Sequence, residues 1–255
     1  MTNPGLAAII DVLGLPADAR VNTRVPKKML AEQGAPTAAD RRAIQDGIAE
    51  ISWIGALKPN TIGVRHFADE ARDYLEIAVI AAAFRQKAKL PRLVELIHRA
   101  IPYPVLLVAG LEDGVAVSVA HKRRAQNEAG KVVVEEIVGT GIFDPLQATA
   151  VEQAFLINIA IAKQPSRDLF ALYEGWRVRI ESLAAARLTG AYAYSDEVRV
   201  AERRRAALEA HEKLMREAAL LRAKAAREKQ MNRRVELNVE IHRLEADAQK
   251  ALKEM

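Results

Sequence analysis

The sequence predicts an α+β protein in which a small antiparallel or mixed sheet packs with helices and is followed by a long C-terminal, coiled-coil-like helix. Three observations predict it: short apolar runs at the spacing of a strand meander, segments with apolar residues at helical spacing around them, and 61 final residues without glycine or proline. Half of the 255 residues are hydrophobic, enough for one substantial core. We divide the chain into a globular α+β domain, residues 1–194, and a charged helix, residues 195–255.

The first sixty residues predict three helices and one strand. Apolar residues recur at helical spacing, and the hydroxyl of Thr37 can cap the third helix by accepting a free backbone N–H. In chain order we predict a helix over 5–13, a basic connector over 20–28, a helix around 29–33, the helix that Thr37 caps and that runs to about Glu50, and a strand over 51–57.

The middle of the chain predicts the rest of the sheet. The Asp113-Gly114 pair is a strong hairpin signal because both positions of such a turn must tolerate positive φ. Strands are predicted over 74–84, 104–109, 115–120 and 131–138, with a helix from Pro91 to Arg99 and a polar connection over 121–130. The last three strands are expected to pair antiparallel, and helices are expected over 147–162 and 167–188.

The charged tail carries a narrow apolar seam. Its members follow the 4-3-4 spacing of a coiled coil in two stretches that differ in register. They are Leu214, Ala218, Leu221, Ala225, Leu237, Ile241, Leu244 and Ala248. As a single helix the tail would be roughly 90 Å long, and we expect the seam to need a partner helix. That helix could belong to a second copy, to another protein, or to this tail folded back near residues 230–234.

Composition and the absence of known motifs argue against several classes of enzyme and metal-binding protein. The chain has no cysteine, no phosphate-binding Gly-rich loop followed by Lys, and no metal-type spacing among its five histidines. We therefore predict no catalytic residue, metal or cofactor. The first residues do not resemble a secretory signal, and no apolar run approaches the roughly 20 residues of a membrane span. Together these features predict a cytoplasmic protein without a membrane partner.

Three stretches of the globular part resemble a known family. They are Arg24-Val-Pro-Lys-Lys28, the run from Ile51 to Ile62, and Ile101-Pro-Tyr-Pro104. They are similar to the signature stretches of the uncharacterised prokaryotic family catalogued as domain of unknown function 4391. The resemblance implies no established activity. Members of this family are often encoded beside helicases and DNA methyltransferases in restriction-like or phage-defence loci. This is an association of neighbouring genes and does not define a chemical activity.

Two basic groups are candidates for binding nucleic acid, because cations that neutralise phosphates release counterions. The first comprises Arg24, Lys27 and Lys28, which would otherwise form a solvated helix start. The second comprises Lys122, Arg123 and Arg124, for which a solvated strand end is the favoured interpretation.

Two aromatic residues could stack on bases: Trp53 is expected to pack in the core, whereas Tyr103, between two prolines, is open to either role.

The function predicted from these features is that of a non-catalytic accessory or adaptor protein in a DNA-processing, restriction-like or phage-defence system. It would bind a partner protein, such as a helicase or DNA methyltransferase, with nucleic acid as a second candidate ligand. The alternative is a divergent metal-dependent nuclease. Its carboxylates would have to assemble from distant positions, for which the candidates are Glu112, Asp113, Glu135, Glu136 and Asp144.

Overall fold

The computed structural model describes residues 3–125 and 132–255 and divides into two compact units between Leu183 and Ala184. This division falls before the predicted boundary at Tyr194. The strands of the described chain are β1 (Arg20–Arg24), β2 (Ile48–Leu57), β3 (Phe67–Ala68), β4 (Asp73–Tyr74), β5 (Ile77–Phe84), β6 (Val105–Leu111), β7 (Gly114–Arg124) and β8 (Val132–Gly139). The helices are α1 (Pro4–Leu13), α2 (Lys27–Gly34), α3 (Ala38–Gly47), α4 (Pro59–Ile62), α5 (Leu90–Ala100), α6 (Ala150–Asn158), α7 (Leu169–Thr189), α8 (Val198–Arg227) and α9 (Met231–Leu252).

A six-stranded mixed sheet forms the centre of the first unit. Its strand order is β1-β2-β5-β6-β7-β8, and the described residues also form a small ribbon of β3 and β4. Only the β5–β6 pair of this sheet is parallel, and α5 makes the crossover that a parallel pair requires. The strands β6, β7 and β8 form the antiparallel meander that their spacing predicts. The predicted fold class is therefore confirmed.

The helices α2, α3 and α5 cover one face of this sheet. Their apolar residues join those of β2, β5 and β6 in one continuous core, which includes Leu30, Ile44, Ile80, Leu96 and Leu107. The close approach of α2 to α5 depends on a glycine. A Cβ atom on Gly34 would lie 2.6 Å from the Cβ of Ala100 and 2.7 Å from the Leu96 carbonyl oxygen, closer than real Cβ contacts.

Two segments predicted as connections are strands. The basic connector contains β1, which pairs with β2 through an irregular register and holds Asn22 at φ 49°. The predicted connection over 121–130 begins inside β7, because pairing with β8 continues through Lys122–Val134 to Arg124–Val132. Residues 126–130 of that prediction, and residue 131 of the strand predicted over 131–138, lie outside the described residues.

The charged tail consists of two helices rather than one. Glu228 has extended backbone angles and ends α8, and α9 begins at Met231. The helices run antiparallel: Arg204 Nε donates to the Met255 carbonyl at 2.8 Å, and Arg222 forms an ion pair with Glu245. With 30 residues, α8 is about 45 Å long, half of the length expected for an uninterrupted tail.

The predicted seam lies inside this helical hairpin. Four of its members are buried, namely Ala218, Ala225, Ile241 and Ala248. The other four, Leu214, Leu221, Leu237 and Leu244, are half-buried. Of the three partners that the sequence allows for the seam, the structure shows the tail folded back on itself. The predicted need for a helix from another molecule does not follow from this seam.

Candidate binding site

A hollow of about 310 Å³ opens on the face of the sheet that α2 and α5 cover. Most of its lining is apolar or aromatic. We call it the aromatic hollow, and its lining residues are Val25, Met29, Leu30, Gln33, Trp53, Ile80, Ala100, Ile101, Pro102 and Tyr103. Apolar concavities of this size with a few polar groups are the usual form of binding sites.

Two aromatic side chains form one wall of the hollow. Trp53 lies on β2 opposite Ile80, and its indole N–H donates to the Gly55 carbonyl at 2.8 Å, which fixes the ring. Tyr103 precedes β6, and its ring centroid is 6.5 Å from that of Trp53 at an angle of 45°. Both residues are half-buried. The expectation of core packing for Trp53 therefore holds for one part of its side chain, and the other part faces the hollow.

The mouth of the hollow carries an exposed apolar residue, and two exposed cations adjoin lining residues in the sequence. Met29 lies in the first turns of α2 and is 47% exposed. Its neighbour Lys28 has a side chain that is 87% exposed, with Glu32 only at 3.9 Å. Arg24, next to the lining residue Val25, is exposed on β1. The lining is thus apolar or aromatic apart from Gln33, and neither cation belongs to it.

The three stretches that carry the family resemblance meet at this hollow. Val25 comes from the first, Trp53 from the second, and Ile101 to Tyr103 from the third. They are separated by more than twenty residues in the chain, and the sheet brings them together because β2, β5 and β6 are neighbours. No local pattern in the sequence could show this, because the convergence depends on the crossover through α5.

A buried cluster lies behind the Ile101 wall. The Lys122 ammonium is 3% exposed and donates a hydrogen bond to the Ile101 carbonyl. His98, fully buried on α5, has Nε2 at 3.1 Å from the Ser118 hydroxyl. Burial lowers the pKa of Lys122 to about 7 and, together with the charge of Lys122, lowers the pKa of His98 to about 3. Through the hydrogen bond of Lys122, the cluster fixes the backbone at Ile101, directly after α5, from inside the protein.

The first predicted basic group is divided by the structure. Lys27 turns inward and donates to the carbonyls of Gln45 at 3.1 Å and Ile48 at 2.9 Å, at the end of α3. Burial, followed by the charges of Arg85 and Arg24, lowers the pKa of Lys27. A cation at a helix C-terminus satisfies carbonyls that have no partner in the helix. Arg24 and Lys28 remain exposed.

The second predicted basic group does not form an exposed tip. Lys122 is buried, as described, and Arg123 is half-buried opposite Val133. Arg124 donates to the Asp69 carbonyl at 3.2 Å and forms an ion pair with Asp73 at 3.1 Å. These contacts hold the loop between β3 and β4. Of the six candidate cations, Lys27 and Lys122 therefore donate to backbone carbonyls, and Lys122 is buried.

A hydrogen-bonded chain of three side chains was not predicted from the sequence. The Tyr74 hydroxyl is 2.5 Å from His121 Nδ1, and His121 Nε2 is 2.6 Å from a carboxylate oxygen of Glu174. Tyr74 is fully buried, and burial raises its pKa. The three hydrogen-bonded side chains pack against Phe170 and Tyr173, and they connect β4, β7 and α7.

The carboxylates of the nuclease alternative lie in two places: Glu135 and Glu136 on β8, and Glu112, Asp113 and Asp144 around the start of β7. Glu135 forms an ion pair with Arg72 at 3.0 Å, and Glu136 forms one with Arg177 at 3.1 Å. Glu112 and Asp113 lie in the turn between β6 and β7. Among residues 3–125 and 132–255 there is no group of three or more His, Cys, Asp or Glu side chains placed to hold a metal ion.

The described features define a class: an α+β protein with a mixed six-stranded sheet, an aromatic-lined hollow and a helical hairpin near its C-terminal end. The chain belongs to the family described as a domain of unknown function, DUF4391, whose sequence profile matches residues 13–247. This confirms the resemblance found in the sequence. Comparisons with curated proteins and with solved structures gave no match. Within the described part of the chain, no helix is both long and apolar enough to cross a bilayer.

Proposed function

We propose that the protein is a non-catalytic adaptor that binds a partner protein by taking an apolar side chain of that partner into the aromatic hollow. The observation that carries this proposal is the convergence of Trp53, Tyr103 and Met29 on one hollow with an exposed mouth. Trp, Tyr and Met are the residue types enriched at protein interfaces, and a few such anchors supply most of the binding energy.

The walls of the hollow are held in place before a ligand arrives. The indole N–H of Trp53 is already bonded to a carbonyl, and Gly34 allows α2 to lie directly against α5. The Ile101 carbonyl is bonded to the Lys122 ammonium from behind. A preformed site loses less side-chain freedom on binding, which favours affinity.

The exposed cations that adjoin the lining in the sequence suggest the chemistry of the partner. Arg24 and Lys28 are exposed, and they precede the lining residues Val25 and Met29. A bulky apolar residue flanked by Asp or Glu would match both features, since complementary charge raises the association rate and excludes other partners. A nucleic acid is the less favoured ligand, because Lys27 and Lys122 donate to internal carbonyls.

The cellular setting of the adaptor follows from the family resemblance alone. It would act in the cytoplasm within a DNA-processing, restriction-like or phage-defence system, with a helicase or DNA methyltransferase as the partner. No specific observation favours the nuclease alternative over this one.

Peptide selection tests the proposal. We expect a displayed random peptide library, selected on the purified chain, to yield peptides with a bulky apolar residue between acidic residues. Binding should change the emission of Trp53, since the other tryptophan, Trp176, is buried. Met29→Glu should weaken binding by at least about tenfold, because it places a like charge against acidic peptides and a carboxylate in an apolar mouth.

The matched control is Ile157→Glu, which makes the same kind of change at a residue on α6 that is 66% exposed and does not line the hollow. It should bind the selected peptides like the wild type. Peptides that bind the Met29→Glu variant equally well would contradict the proposal. If instead a single-stranded DNA oligonucleotide changed Trp53 emission in an Arg24-dependent way, the ligand would be nucleic acid.

A further inference from the structure

The outward face of α9 carries a second apolar stripe. Met231, Val235 and Val239 follow one another at four-residue spacing and are 64%, 53% and 64% exposed. The stripe continues through His242, whose side chain is 79% exposed, and exposed Ala246. From Val235 to Ala246 the spacing is 4-3-4, the same as in the buried seam. This is the spacing of a helix that packs against another helix.

The stripe and the seam lie on opposite sides of α9. At about 100° per residue, Val239 is turned by roughly 200° from both Leu237 and Ile241. The seam faces α8 and is buried, so α8 cannot also cover the stripe. Among the described residues, α9 therefore has one apolar face that is used within the chain and one that is not.

We propose that this stripe packs antiparallel against the same stripe of a second copy of the chain. In a two-fold symmetric pair, the heptad positions require Val235 to lie in a layer with Ala246 of the second copy, and Val239 with His242 of the second copy. A self-complementary surface of this kind is what a symmetric dimer needs, because each residue of the interface meets its counterpart twice.

The charges beside the stripe select this pairing. In the stated register, Glu236 lies opposite Arg243 of the second copy, and symmetry repeats the contact. Glu236 has no ion pair within residues 3–125 and 132–255, whereas Arg243 lies 3.8 Å from Glu240 and its charge helps to lower the pKa of Asp247. A shift by one heptad would place Val235 opposite Val239 but would bring the two Glu236 carboxylates together. Flanking charges commonly decide the orientation of paired helices in this way.

Sedimentation velocity with charge-reversed variants tests the proposal. The wild-type chain should form dimers as its concentration rises. Glu236→Arg and Arg243→Glu should each weaken dimerisation roughly tenfold, because two attractive contacts become repulsive. When the two single variants are mixed, both contacts are attractive again, and a dimer of one copy of each should form with about the wild-type affinity.

Glu217→Arg is the matched control, since it makes the same charge change at an exposed residue of α8, which packs on the seam side of α9, and should dimerise like the wild type. Circular dichroism establishes that each variant keeps its helices. A wild-type chain that stays monomeric would overturn the proposal, and so would variants that dimerise normally or a mixture that does not recover. Each of these results leaves peptide binding by the aromatic hollow unaffected.

Discussion

Replacing Arg179 with alanine is expected to lower the free energy of unfolding by more than about 3 kcal/mol. The guanidinium of Arg179 is fully buried and donates to the carbonyls of Asn158 at 3.1 Å, Gly175 at 3.0 Å and Lys163 at 2.7 Å. Alanine would leave these carbonyls without this donor and would open a cavity beside α7. Chemical denaturation measured by circular dichroism gives the change.

The control for this prediction is Arg65→Ala. Arg65 is exposed and its guanidinium donates to the Arg167 carbonyl at 2.9 Å. Its loss should cost no more than about 1 kcal/mol, because water replaces the lost contact. Equal effects of the two substitutions would contradict the role assigned to the buried guanidinium.

The unfolding free energy of the wild type should rise between pH 7 and pH 10, and Lys122→Met should remove most of that rise. Burial lowers the pKa of Lys122 to about 7 from an ordinary value of 10.5. Between these values the unfolded chain binds the proton and the folded chain does not, so stability increases with pH. The contribution is up to about 4 kcal/mol across this range.

Lys28→Met, at a lysine that is 87% exposed, should retain the rise that Lys122→Met removes. Denaturant titrations at each pH give the comparison. A wild-type curve that is flat from pH 7 to pH 10, or one that Lys122→Met leaves unchanged, would show that the buried ammonium does not lose its proton in this range.

The parts of the fold that the sequence predicts well are those decided by local pattern. The Asp113-Gly114 turn and the alternation around it predict the hairpin of β6 and β7, and Thr37 caps α3 as expected, with its hydroxyl accepting the N–H of Asp40 at 3.1 Å. In the tail, the seam chosen from coiled-coil spacing is buried or half-buried, although the exposed stripe of α9 has the same spacing. The spacing does not predict the partner of the seam, because the same seam fits a helix of any origin.

The parts that the sequence does not predict depend on contacts between distant residues. Lys122 belongs to a run of charged residues, which is usually exposed, and only the packing of α5 on β7 places it in the interior. The strand β1 is missed because its pattern is basic and its five residues are exposed. The aromatic hollow is missed for a related reason: Trp53 and Tyr103 are fifty residues apart, and their separation in space is set by two intervening strand pairings.

The hairpin of α8 and α9 also bears on how the chain acquires its structure. Its helices are joined by only three residues, so their first contacts form beside the turn and the others can follow outward along both helices, whereas β6 can join β5 only after a crossover has closed, as between Ala78 and Val105. Short-range contacts form orders of magnitude faster than long-range strand pairing. The tail should therefore acquire protection from hydrogen exchange first during refolding, well before the strands on which the hollow depends.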